Sequence, residues 1–266
     1  MKYRLANDAR PQAATLLLAA IISIVLWFIP FAEILIYPFR IFVTFIHEGG
    51  HAVAALLTGN SVQSLSVALN ASGETYTTQG GRLSQMLVAS AGYLGAMSFG
   101  ALLLVMIRRA VRPRLVLLAS AGVILGLTII FGLINPIFAG AWHSMTGMPF
   151  TVGAGLILTI GLFLVARFAS ARTAMFIVCM LAVQCVLNAL LDLKTVFFLS
   201  SPFAPSVPTD AVNMANATGV PAIIWASIWI AIACGILLLV LRLYVAARDR
   251  EFDTQQDLPF GTKVEA

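Results

Sequence analysis

His47-Glu48-Gly49-Gly50-His51 places two imidazoles four residues apart with a carboxylate beside the first. On a helix both rings project from one face, where they can share a metal ion. The carboxylate is then close enough to take a proton from water activated by that ion. The pattern alone is modestly specific. Its setting sharpens it, because Phe39–Ile46 precedes it and Ala52–Leu57 follows it, both predominantly apolar. Ionisable groups inside a membrane segment are costly and usually functional. The expected chemistry is metal-assisted hydrolysis within a membrane.

The elements that must position these residues follow from composition. The chain has 266 residues, of which 60% are hydrophobic and only 10% charged, and its mean hydropathy is +0.96. Such a chain is an integral, multi-pass membrane protein. Spanning helices need roughly 20 apolar residues each, and seven segments qualify: 13–36, 38–58, 84–107, 114–135, 150–168, 173–199 and 221–247. The first is too long for a signal-peptide core and lacks a small-residue cleavage site, so it reads as a retained helix. The expected fold is an all-α polytopic protein of six to seven transmembrane helices. Residues 1–250 form one membrane domain and 251–266 a polar tail.

The net charge of +5 does not point to nucleic acid. Arg108, Arg109, Arg112 and Arg114, then Arg167 and Arg172, and finally Arg242, Arg248 and Arg250 cluster in short connections and at the C-terminus. That is the distribution of cytoplasmic loops. Lys2, Arg4 and Arg10 fall on the opposite side if all seven segments span, which conflicts with the rule. A cytoplasmic C-terminus is the favoured orientation and a bacterial plasma membrane the expected location. Cys179, Cys185 and Cys234 have no paired spacing and read as small apolar residues.

Residues 59–83 differ from their surroundings. Ser61–Leu69 alternates polar and apolar, Asn70-Ala71-Ser72-Gly73 supplies a turn, and Glu74–Thr78 alternates again. This predicts a short β-hairpin directly after the metal-binding helix, one that could offer a free edge to an extended peptide. The plainer reading is an extramembrane loop. Gly92-Tyr93-Leu94-Gly95 lies in the next helix, where small residues permit close packing. In the connection 200–221, Asp210 reads as the cap of a short helix.

A catalytic metal of this kind takes three protein ligands and keeps one position open. Beyond the motif, the apolar spans contain only Glu33 and Asp192 as acids, and the only other histidine is His143. Asp192 is deep in its span, where an unpaired carboxylate calls for compensation by a metal. Asn188, four residues earlier, shares its helix face and can bond the ligand or substrate backbone. Pairing of Asp192 with Lys194 or an arginine is the structural alternative. Glu33 suits an interfacial position, and His143 a solvated loop.

These residues resemble the site-2 protease class of intramembrane zinc metalloproteases, peptidase family M50, and most closely its M50B-like branch. The resemblance runs from Phe45–Ala52 through Leu57-Thr58-Gly59 and Gly80-Gly81 to Ala91–Gly95. It returns weakly at Leu191-Asp192-Leu193 and from Thr209-Asp210-Ala211 to Pro221 and Trp225. It implies one zinc per chain, held by His47, His51 and Asp192, with Glu48 as general base. Members of the class carry a glycine after the third ligand and prolines before it. Here Leu193 replaces that glycine and the prolines are absent, so helix unwinding around Asp192 is not expected. The implied partner is a membrane-embedded protein or peptide substrate within the lipid bilayer. Two rival functions are a transporter with an ion pathway and a catalytically silent scaffold. The first is disfavoured by the scarcity of intramembrane charge, the second by retention of Glu48.

Overall fold

The computed structural model describes residues 10–29, 31–141, 146–201, 203 and 207–245. In chain order these form α1 (Arg10–Phe28), α2 (Glu33–Leu57), β1 (Val62–Val67), β2 (Gly73–Thr77), α3 (Arg82–Arg108) and α4 (Pro113–Gly126). A π-helical stretch, Leu127–Ile134, continues α4 into α5 (Asn135–Phe138). Then come α6 (Met148–Phe168), α7 (Ala171–Leu199), α8 (Asp210–Thr218) and α9 (Ala222–Val245).

Five helices among the described residues are long and apolar enough to cross a membrane: α3, the continuous α4–α5 rod, α6, α7 and α9. The sequence reading counted seven. Of the two others, α1 has a shorter apolar stretch, Gln12–Leu26. Along α2, Pro38, Arg40, His47, Glu48 and His51 interrupt the apolar run. Large apolar side chains point outward on α6 (Ile157, Ile160, Phe163) and α9 (Leu238, Leu239), as lipid-facing surfaces require. The architecture is a polytopic helical bundle with one two-stranded antiparallel sheet.

Helix α3 sits at the centre and packs against α2, α7, α8 and α9. Its contact with α2 is a backbone contact. A methyl group added at Gly50 would collide with the Ala91 carbonyl, and one at Gly95 would stand 3.3 Å from the Gly50 Cα. Side-chain-free positions on both helices therefore set their separation, the device membrane helices use where the hydrophobic effect cannot drive association. Farther along, Gly100 faces Cys185 and Val186 of α7 at 2.9–3.2 Å from a notional Cβ.

The basic connections meet at one end of the bundle. Arg114 donates to the Ala169 carbonyl beyond α6, and buried Arg108 donates to Leu243 near the end of α9. The arginine clusters thus share one side, as the charge pattern anticipates.

The hairpin forms as expected, with Ser64 opposite Tyr76 and Val67 opposite Gly73, and an irregularity between Val62 and Ser64. It is not an external loop. It folds back along α2, so that Tyr37 donates to the Leu69 carbonyl (2.6 Å) and Thr44 to that of Ala71 (2.7 Å). The far edge of β1 is occupied: Thr151 of α6 bonds both backbone groups of Val67, and Asn135 donates to Val62. Strand β2 has no second strand partner among the described residues. Irregular backbone at this depth is tolerated where it is packed in protein or lines a cavity, and β2 lines one.

The Gly50 contact yields a test. Gly50→Ala should lower the melting temperature of the detergent-purified protein, since overpacking of this kind costs about 1–3 kcal/mol. Gly122→Ala, on an open face of α4, should be neutral or stabilising, because Ala favours a helix over Gly by about 0.5–1 kcal/mol. Thermal unfolding of both variants checks the contrast.

Candidate metal centre

The stripe Arg40, Thr44, His47, Glu48 and His51 runs along one face of α2, at spacings of three, four and one. This face looks across to α3, where Gly92 lies under the two rings. A Cβ at Gly92 would overlap the Nε2 atoms of both His47 and His51. The missing side chain makes room for the nitrogen pair. The two Nε2 atoms stand 3.1 Å apart, and His51 Nδ1 is 2.7 Å from the Val88 carbonyl. Donation from Nδ1 to that carbonyl leaves Nε2 unprotonated in the neutral ring and fixes the ring's orientation, as second-shell partners of metal-binding imidazoles do.

The carboxylate brought to this pair is Asp210. Its Oδ2 lies 3.6 Å from His47 Nε2 and 3.4 Å from His51 Nε2. His47, His51 and Asp210 form the metal-capable cluster of the described residues. Ligand atoms about 2.0–2.2 Å from a tetrahedral ion stand about 3.3–3.6 Å from one another, close to the three separations observed. Two imidazoles and one carboxylate, with no thiolate, suit a borderline divalent ion such as zinc. The set leaves the fourth position free.

Asp210 reaches the site because α8 packs against α3 and α9. Thr209 caps α8, its hydroxyl accepting from Val212 N–H at 3.3 Å, so the cap is Thr209 and not Asp210. Ala211, Met214 and Ala217 form the buried face, and Gly219, at φ 77°, ends the helix in the left-handed conformation. Arg82 of α3 donates to the Ala217 carbonyl (2.7 Å), and Trp225 of α9 to Thr218 (3.0 Å), tying α8 to two spans. Burial alone would disfavour ionised Asp210, but the two adjacent imidazoles outweigh it and hold the carboxyl below the usual range.

Glu48 is 4% exposed. Thr75 of β2 donates to its Oε2 at 2.7 Å, and Gly73 leaves room for Oε1, which would stand 2.5 Å from a Cβ there. The hairpin thereby orients the carboxylate while its other oxygen stays available. Tyr93 stacks edge-on against His47, ring centroids 4.6 Å apart, and its phenol interacts with Asp210. These groups open into a cleft of about 670 Å³ that also runs along β2 and past Asn213 and Asn216 of α8.

The structure therefore brings together His47, Glu48 and His51 as expected, but it substitutes Asp210 for Asp192. Asp192, on an α7 that runs unbroken to Leu199, lies outside the ligand cluster of the described residues. It faces a second, smaller cavity beside His47 and Glu48, which Asn188 also lines. The Asn188 amide donates to the backbone and side-chain oxygens of Gln184 rather than to a ligand. Glu33 is in the first turn of α2, about 21 Å along the axis from His47 at 1.5 Å per residue. His143 lies outside the described residues.

Reasoning from sequence missed Asp210, Thr75, Tyr93 and the role of Gly92. A signal for Asp210 was present: apolar residues at 211, 214 and 217 mark a short helix with a buried face. Thr75 and Gly92 carried no comparable mark.

Residues 15–240 match the family model described as Peptidase M50B-like. No curated protein and no solved structure matches the chain.

Metal content of purified variants tests the cluster. His51→Ala, Asp210→Ala and Gly92→Ala should each lose bound divalent metal, the last because its methyl enters the space between the nitrogens. Asp192→Asn should keep it. Elemental analysis showing full metal in Asp210→Ala and none in Asp192→Asn would reverse the assignment.

Proposed function

The chain belongs to the Peptidase M50B-like family, and from that premise we propose that it is a zinc-dependent intramembrane protease acting on membrane-embedded polypeptides. The family is one of membrane metalloproteases. The observation that carries the finer reading is the buried Glu48 carboxylate, held by Thr75 beside the His47–His51–Asp210 cluster.

His47, His51 and Asp210 would hold the zinc ion, which would supply Lewis acidity for the scissile carbonyl and for the attacking water. Glu48 then takes the proton of the attacking water at its free carboxylate oxygen and delivers it to the departing amine nitrogen. Thr75 keeps that carboxylate aimed at the cleft. The Tyr93 phenol, beside His47 and Asp210, orients the carboxylate ligand. Substrate enters as an extended strand along the edge of β2 that has no strand partner among the described residues, beside Gly73 to Thr77, which line the cleft. Only an extended segment presents its carbonyl to such a site, since a helical one keeps it bonded within the helix. The basic end of the bundle faces the cytoplasm on this reading.

Glu48→Gln should retain zinc yet cleave a transmembrane peptide about 10²–10⁴-fold more slowly, the range for loss of general acid–base catalysis. Thr75→Val should lower kcat about tenfold with KM little changed, because it loosens the base without touching the metal. Cleavage assays in detergent with metal analysis on the same samples check both. Undiminished cleavage by Glu48→Gln defeats the mechanism.

A further inference from the structure

His47, Glu48, Gly73 and Tyr93 border two cavities at once. The larger follows β2. The smaller, about 300 Å³, lies on the other side of Glu48, between α2, the hairpin turn and α7. A peptide extended along β2 from Thr77 towards Gly73 passes the Glu48 carboxylate and continues into this second chamber. Residues on one side of the cleaved bond would then lie against β2, and those on the other inside the chamber.

Several of the chamber's hydroxyl and amide hydrogens are already donated elsewhere. Thr44 donates its hydroxyl hydrogen to Ala71, Thr195 to Leu191 and Ser72 to Asn70, while the Asn188 amide hydrogens go to Gln184. What these groups leave towards the cavity is oxygen lone pairs. Asp192 adds a carboxylate that has no hydrogen bond or ion pair with any described residue. Asn188, Asp192 and Thr195 recur at helical spacing on α7, so they share a face. Arg40 lines the same cavity, exposed, and its charge acts on Asp192 without a direct ion pair between them. Resting on the protease reading above, we propose that this chamber is a specificity subsite, with Asp192 receiving a lysine or arginine side chain of the substrate next to the cleaved bond. An exposed carboxylate ringed by hydroxyl and amide oxygens, with Val43 and Val196 beside it, is complemented by a flexible cationic side chain whose stem packs on those valines. A carboxylate-bearing substrate residue would be repelled there, which gives discrimination as well as attraction.

The test uses the full-length purified protein and a synthetic Leu/Ala transmembrane peptide in which one lysine is moved through the cleaved region, with norleucine and glutamate versions at each position. At one position lysine should raise kcat/KM about tenfold over norleucine, and glutamate should lower it. In Asp192→Asn the lysine-to-norleucine ratio should fall to about one with bound metal unchanged, and Asp192→Lys should favour the glutamate peptide. Fluorescence anisotropy on the Glu48→Gln protein should give the same ratios for binding. That arm decides the subsite even where no peptide is cut, an outcome that would count against proteolysis alone. The proposal is overturned by the absence of any lysine preference, by its persistence in Asp192→Asn, or by loss of metal from that variant.

Discussion

The close approach of α2 and α3 is the constraint on which the rest depends. Gly50 meets the Ala91 carbonyl, Gly95 meets Gly50, and Gly92 leaves space where the two imidazole nitrogens converge. A side chain at one of these three glycines either pushes the helices apart or fills the space between the imidazole nitrogens. The glycines let the two backbones meet, so van der Waals contact along them holds the seam. The same seam carries Val88, which fixes the His51 ring, and Tyr93, which packs on His47. Geometry of the helix pair and geometry of the ligands are one problem with one solution.

Two irregular elements complete what the seam begins. The hairpin contributes Thr75 to Glu48, and α8 contributes Asp210 to the imidazoles. Neither spans. Each enters from a connection and is fastened by side chains of the spans: Thr151 and Asn135 hold β1, Arg82 and Trp225 hold α8. Exposed backbone polar groups are expensive in lipid, so such elements exist only where the bundle satisfies them. The arrangement gives polar chemistry a water-accessible cleft inside an otherwise apolar protein, with Glu48 and His51 themselves buried.

What could be read from the sequence divides along the same line. Local periodicity announced the helices, the hairpin and the three motif residues, because spacing on a helix or strand is a local property. The third carboxylate depended on tertiary contact. Intramembrane cost singles out Asp192, whereas in the structure Asp192 lines a polar cavity and Asp210 stands beside the imidazoles. Asp210 reads from sequence as the cap of a short helix, whereas the structure gives the cap to Thr209 and turns Asp210 towards the imidazoles. Leu193 and the missing prolines did foretell an unbroken α7, and that continuity accompanies the separation of Asp192 from the ligand cluster. The same unbroken helix leaves Asp192 free for another use.

The central claim is that His47, His51 and Asp210 hold one divalent ion beside Glu48. Anomalous scattering at the zinc edge from crystals of the zinc-loaded protein tests it most directly. The account predicts a single peak about 2.0–2.2 Å from Nε2 of both histidines and from an Asp210 carboxylate oxygen. A peak coordinated by Asp192 in place of Asp210, or none between the two imidazoles, would contradict it.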